Sequence, residues 1–479
     1  MDKRVKIAII DNGIDNLSLN RSLENNIFID SKGKCVADTK SITQQKFQHG
    51  TNCARIIEKN FKECRLTSIR ILDDDGRGGI GSLEPALEWC YENGVVLVNL
   101  SLGTTHFSDK NNIRKIVNKY INRGMIIIAA SANSGYTSYP ASFSNVIGVV
   151  AGEKLRVNKI LNLQQGIDFE APCNYKVENE YGCFPLVKSN SYAAPYITAL
   201  AGKSVLQNKI TKNYDIKRKI CNMFCLEKEE YDISYIPDWI TSAWSDYACN
   251  SSMAEPYFDI YTGDYKQYEE SIDTIIFKDA HKIKQYNNRE KNLLYLGKEA
   301  FDIEDFKGFY WNWEKRIEQI RGVEGRKENL QLPTVLCVLD EKVDLLWLII
   351  ELKNRFCKEG YNIYAISTKV ESVLYDLEYI PKEIVCADKE KLHDFLYWQT
   401  YYQQSDALLW GTYFSEAGNL MNTIEDVDMG VSIKWLDESY FIVIKCDGIV
   451  RKQNYAKQID CNILFEDILS LLTEEDNGQ

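Results

Sequence analysis

The sequence predicts an α/β protein: a mainly parallel sheet with helices on both faces, followed by a second α/β domain. Three observations carry this expectation. Short apolar runs alternate with amphipathic helical stretches up to about residue 205. The alternation resumes at Pro333. Between the two, residues 227–330 change character, being rich in Tyr, Trp and acidic residues, and carry no assignable motif.

In chain order, VKIAII (5–10), LTSIRIL (66–72), VVLVNLSL (95–102), MIIIAAS (125–131) and NVIGVVA (145–151) read as strands. Residues 82–94 and 112–124 read as helices stopped by Gly94 and Gly124. A helix opens at Ser191 and runs to about Gln207, and another covers about Tyr214 to Leu226. These elements make residues 1–226 the first domain. Residues 227–330 form a connecting region ending in a charged linker, 325–331, and residues 331–479 form the second α/β domain. There PTVLCVLD reads as a strand, VDLLWLIIELKNRFCKEG as a helix and YNIYAIST as a strand. Two apolar runs, EIVCA and DALLWGTYF, follow, then a hairpin, SIKWLDESYFIVIK, and a closing helix, FEDILSLLTEE.

A chain of 479 residues has room for two or three domains, each with its own core. A net charge of −12 argues against general binding to nucleic acid or anionic membranes. No apolar run reaches the length of a membrane span. The N-terminal MDKRVKIAIIDNGID has an apolar run of only six residues and no small-residue cleavage site, so it reads as a strand rather than a signal peptide. The 14 cysteines lack a metal-ligand rhythm, and Cys221 and Cys225 form a lone CxxxC. They read as reduced thiols in a cytoplasmic protein. No cofactor or metal is expected.

Candidate chemistry begins with SNSYAAPYITALAG, residues 189–202. Ser191 reads either as an N-cap or as a nucleophile at a helix N-terminus, where developing negative charge is favoured. Pro195 reads as tolerated in a first helical turn. Acyl transfer to a serine needs a base, an acid that orients the base, and donors for the oxyanion. Asp11, at the end of the first strand, is the acid candidate, or else a turn aspartate in DNG. His49, in QHGTNCARII, is the base candidate, or else a structural histidine; only His106, His281 and His393 share its type. Asn133, in AASANSG, is the oxyanion donor, or else a turn residue.

The order Asp, His, Asn, Ser, carried by IAIIDNGID, HGTNCA, AASANSG and SNSYAAP, resembles the subtilisin-like serine protease family. ILDDDGRGGIGSLEPALEWCYENGVVLVNLSLG is similar to that family too, so the likeness spans about residues 5–205. The resemblance implies a subtilisin-like fold with Ser191 as nucleophile, His49 as general base and acid, and Asp11 orienting His49. It assigns the oxyanion hole to Asn133 and the Ser191 N–H. It implies a peptide substrate held as an extended strand between Gly78–Gly79–Ile80 and Ser101–Leu102–Gly103. Departures from the pattern are Ser189–Asn190 for Gly-Thr, Tyr192 for Met, and Ala132 for Gly before the oxyanion Asn. Ala132 and Ser138 narrow the first specificity pocket, which implies a small or medium uncharged residue before the cut. With the first strand starting at Val5, no propeptide is expected, and no calcium loop is predicted.

The second domain starts like a strand–loop–helix nucleotide site, but its turn, LDEKVDLL, has no glycine and carries acids, so phosphate binding is not expected. It resembles a degenerate P-loop protein of peptide maturation clusters. The resulting expectation is a serine endopeptidase acting on a specific intracellular peptide, such as a ribosomal natural-product precursor whose leader it removes. Residues 227–479 would restrict or deliver that substrate, or else form a structural extension or a dimerisation domain. The rival expectation is a peptide-binding pseudoprotease in which the departures around Ser191 have spoiled the chemistry.

Overall fold

Strand β1 (Val5–Asp11) explains the layers of the first sheet. Successive side chains of a strand point to opposite faces, and this one is apolar on both. Ile7 and Ile9 join a core with Ile57, Ala194 and Ile197, while Ala8 and Ile10 join a second core with Leu87 and Val117. The first core lies under helices α1 (His49–Asn60), α4 (Asn190–Asn208) and α5 (Asn213–Phe224). The second lies under α2 (Leu83–Glu92) and α3 (Lys110–Ile121).

The computed structural model describes residues 4–39, 48–153, 157–162, 166–179, 182–208, 212–224, 236–247, 253–286, 291–299, 308–323, 330, 332–416 and 427–474. The chain divides into two compact units, Met1–Ser234 and Tyr235–Gln479. In the first, β1 pairs in parallel with β4 (Cys64–Arg70) and β5 (Leu97–Leu100). The parallel run continues through β6 (Ile126–Ala130), β7 (Ile147–Gly152) and β9 (Ile167–Pro172) on one side, and β2 (Asn25–Ile29) on the other. The short strands β3 (Cys35–Ala37) and β8 (Asn158–Asn162) close the edges in antiparallel fashion, giving the order β3-β2-β4-β1-β5-β6-β7-β9-β8. The α/β architecture is therefore the one the apolar pattern predicts.

Two local expectations need correction. Helix α4 starts at Asn190, so Ser191 lies inside its first turn, and the capping hydroxyl belongs to Ser189. Pro195 is too far along to be a free first-turn position. Its missing N–H would have bonded the Ser191 carbonyl, four residues back.

The second unit holds two sheets. Residues of the stretch without a motif form a parallel sheet in the order β13-β12-β14-β15-β16, from β12 (Ser242–Ser245) to β16 (Tyr310–Trp311), with β13 (Asp259–Tyr261), β14 (Thr274–Phe277) and β15 (Asn292–Tyr295). The other sheet is centred on β17 (Thr334–Leu339), with β20 (Ala407–Tyr413) and β18 (Ile363–Ser367) parallel on one side and β21 (Met429–Leu436) on the other. Helix α8 (Leu345–Lys358) follows β17, and SIKWLDESYFIVIK lies in the hairpin of β21 and β22 (Ser439–Cys446). EIVCA lies in a short helix, Lys382–Ala387. Ala243, Ile276, Leu294 and Trp311 share a core with Val335, Leu345 and Ile349, so both sheets belong to one packed unit. Within the stretch expected as a linker, residues 325–329 and 331 lie outside the described residues, as does Cys225.

Candidate active site

Parallel strands end at the same side of a sheet, so the loops after them gather there. β1 ends at Asp11, β5 at Leu100 and β6 at Ala130, and helices α1 and α4 start beside these ends. His49, first residue of α1, places Nδ1 at 2.9 and 2.8 Å from the two carboxylate oxygens of Asp11. Asp11 is 1% exposed and His49 8%. The Asn12 side chain locks the two loops together, its Oδ1 accepting the Gly50 N–H at 3.0 Å. Gly50 has to be glycine at this approach, because a Cβ would stand 2.4 Å from the Gly13 carbonyl oxygen. Burial opposes protonation of the His49 ring, but the Asp11 charge and hydrogen bond outweigh it, so its pKa lies above the ordinary value. The Tyr192 ring packs over the imidazole with centroids 5.2 Å apart.

Ser191 lies in the first turn of α4, next in sequence to the Tyr192 that packs on His49. The Ser101 hydroxyl takes up the carbonyl that Pro195 leaves without its helical partner, donating to Ser191 O at 2.8 Å. Cys53 also approaches it, with Sγ at 3.6 Å. Behind Ser101, the Asn99 amide donates to its Oγ at 3.0 Å, and Thr198 donates to the Asn99 side-chain oxygen at 2.9 Å. The Ser191 hydroxyl itself donates to the Ser101 carbonyl at 3.2 Å.

Asn133 is held in one orientation. Its Oδ1 accepts the Asn190 N–H at 2.9 Å, which turns the NH₂ toward Ser189 Oγ at 3.3 Å. The Ser191 N–H points at the same Ser189 oxygen, also at 3.3 Å. The Asn190 side chain stitches the helix start to the strand ends, accepting from Ala151 N and donating to the Ser131 and Ala132 carbonyls at 2.8, 3.1 and 3.0 Å.

Of the expected substrate segments, Ser101–Gly103 adjoins this centre through the bonds between Ser101 and Ser191. Gly78 and Gly79 are exposed and Ile80 half-buried. Ser101 is buried, Leu102 half-buried and Gly103 exposed. Gly103 passes so close to Tyr139 that a Cβ would lie 2.8 Å from its carbonyl oxygen. Ser138 is 1% exposed, and its hydroxyl accepts the Ala132 N–H at 2.9 Å, bracing the 131–133 edge from behind.

Among the described residues, Asp11, His49 and Cys53 place one potential metal-ligand atom each within 4.8 Å of one another. A zinc-type site would need the thiolate. Burial, and then the Asp11 charge, push the Cys53 thiol well up, and its sulfur is hydrogen-bonded to Ser101 Oγ at 3.4 Å. The trio is a protonated thiol beneath an Asp–His pair, a poor donor set for a metal.

Asn99 carries no motif of its own, and the motifs that contain Asn12, Asn190 and Ser101 do not show the bonds these side chains make. One signal was visible in the sequence: Pro195 stands four residues after Ser191, so the Ser191 carbonyl needs a donor from elsewhere.

Residues 2–231 match the subtilase family. Minor extracellular protease Epr of Bacillus subtilis is 32% identical over 183 residues, covering 36% of this chain and 27% of that protein. Subtilisin BL of Lederbergia lenta is 30% identical over 234 residues, covering 46% of this chain and 82% of that protein. A solved lanthipeptide protease aligns with a TM-score of 0.36 and 16% identity, over 45% of this chain and 78% of that one. The chain thus spans only about a quarter of the length of Epr but most of subtilisin BL. The cytoplasmic location expected from the cysteines is overturned by these relatives, since Epr is by name an extracellular protease. Free thiols and a short first apolar run report burial and strand formation, not compartment.

Proposed function

Since the chain belongs to the subtilase family, a family of serine-type hydrolases, we propose that its first unit is an endopeptidase with Ser191 as nucleophile. The observation that carries this is the buried contact of His49 Nδ1 with both oxygens of Asp11, beside the first turn of α4. That contact sets the tautomer: the Nδ1 proton faces Asp11, and Nε2 is left as a base. In the reaction, Ser191 Oγ bonds to the substrate carbonyl carbon and its proton passes to His49. The oxyanion is met by Asn133 Nδ2 and the Ser191 N–H. His49 then protonates the departing amine as the C–N bond breaks. Water, deprotonated by the same imidazole, hydrolyses the acyl-enzyme.

Ala132 and Ser138 support a first pocket suited to a small or medium uncharged residue. A peptide library checks this by mass spectrometry, and efficient cleavage after Arg or Trp would overturn it. The finer reading is a dedicated peptide substrate, such as a precursor with a removable leader, restricted or delivered by the second unit. That unit is read as a degenerate P-loop relative. In the turn after β17, Asp340 and Asp344 accept the turn and helix N–H groups that a phosphate would otherwise use.

The test is covalent labelling by a fluorophosphonate probe in the parent, Ser191→Ala and His49→Ala proteins. Labelling of the parent alone is expected. A folded parent that binds peptide without being labelled would replace the endopeptidase with a peptide-binding protein.

A further inference from the structure

The two donors assigned to the oxyanion already share an acceptor, the Ser189 hydroxyl. Asn133 Nδ2 and the Ser191 N–H both lie 3.3 Å from Ser189 Oγ. The hydroxyl proton has its own acceptor, Asn133 Oδ1, at 3.4 Å. One oxygen therefore stands where the two donors converge, the place an oxyanion has to occupy.

This has a local physical origin. Ser189 takes the N-cap position of α4, and an N-cap hydroxyl accepts from the backbone N–H two residues on. In this helix that N–H belongs to Ser191. Capping the helix and stabilising an oxyanion thus compete for one donor. The nucleophile has a resting partner too, since Ser191 Oγ donates to the Ser101 carbonyl at 3.2 Å. That carbonyl lies in the Ser101–Gly103 segment, where an added substrate strand would seek backbone partners.

We propose that Ser189 gates the oxyanion hole: its hydroxyl fills the hole at rest and must swing out before acyl transfer. The proposal rests on the endopeptidase reading of the same site. It makes Ser189 a positioning residue that sets specificity. A long peptide that binds along the Ser101–Gly103 edge has binding energy available to displace the hydroxyl, while a small ester or phosphonate has little. Casual substrates are thereby disfavoured.

The experiment compares the parent with Ser189→Gly, Ser189→Ala and Ser189→Thr. Glycine is nearly as good an N-cap as serine, so the fold should survive that change with its Tm little altered. The readouts are the second-order rate of labelling by a small fluorophosphonate and the hydrolysis of p-nitrophenyl acetate. Removing a neutral hydrogen-bonded occupant should raise both about five- to tenfold in the Gly and Ala variants. Threonine keeps the hydroxyl and should stay near the parent rate. Cleavage of a long peptide should gain less than the small ester. A parent that labels at Ser191, with Gly and Ala variants no faster, overturns the gate and leaves the endopeptidase reading standing. Absence of labelling in all four folded proteins overturns both.

Discussion

Each unit sets a helix N-terminus beside the end of a buried parallel strand, α8 after β17 and α4 against the residues that follow β6, and the two ends are closed by different chemistry. In the second unit, β17 runs through the turn Asp340–Asp344 into α8. Asp344 accepts the Trp347 N–H at 3.1 Å and Asp340 accepts the Lys342 N–H at 3.0 Å. These are carboxylates, which a helix N-terminus holds best and which repel any incoming anion. In the first unit the cap of α4 is a neutral hydroxyl at 3.3 Å from the Ser191 N–H. A helix start can thus serve stability or chemistry, and the cap determines which. A carboxylate closes the site, whereas a hydroxyl holds it loosely enough to be displaced.

The comparison breaks most severely at Asp11. Asp11→Asn should lower kcat about 10⁴-fold, because an amide can present its NH₂ to His49 and favour the wrong tautomer. Steady-state kinetics on a labelling-competent parent would measure this. The same variant sharpens the electrostatics. Since His49 must be neutral to accept the proton, activity should rise with pH through a midpoint above the ordinary 6.5 in the parent, and through a lower one in the variant. For stability the sign is opposite. A raised folded-state pKa gives stabilisation that is complete below 6.5 and fades as pH rises through the folded value. The variant's Tm deficit should therefore be larger in mildly acidic than in alkaline buffer. A deficit that grows with pH would contradict the pairing.

The smallest expected effect lies at the other junction. Asp344→Ala removes the carboxylate cap of α8 and should cost about 1 kcal/mol in chemical denaturation of the second unit. Labelling of Ser191 should be unchanged, because the cap of α4 is untouched.

Much of the first sheet was legible because its central strands are apolar on both faces and its helices end at Gly94 and Gly124, both at positive φ. The edges were not. β3 is three residues long and β8 five, with only two apolar residues in NKILN, so neither is long enough to show a period. The sheet built by β12 to β16 was missed for a related reason. Its strands are two to four residues long, too short to show a pattern, and residues such as Ala243, Ile276 and Trp311 are buried against Val335 and Leu345 much later in the chain. At the site, Asp11, His49, Asn133 and Ser191 stood out because a strand end, a helix start and a turn each advertise themselves locally. Asn99 did not, since a buried amide in an apolar strand looks like an imperfection until Thr198 and Ser101 are set around it.

The sequence by itself determined the alternation of strand and helix, the sheet ends at which polar residues gather, and which residue types stand there. These follow from periodicity and turn chemistry within a few residues. Only the tertiary structure decided the partners. It brought the Ser101 hydroxyl to the Ser191 carbonyl across 90 residues, and Asn133 to the helix start across 57. It also decided that the Ser189 hydroxyl faces Asn133 Nδ2 and the Ser191 N–H. The physical reason is that a hydrogen bond depends on position to a few tenths of an ångström, and that position is fixed by the packing of β5, β6 and α4 together, not by any one of them.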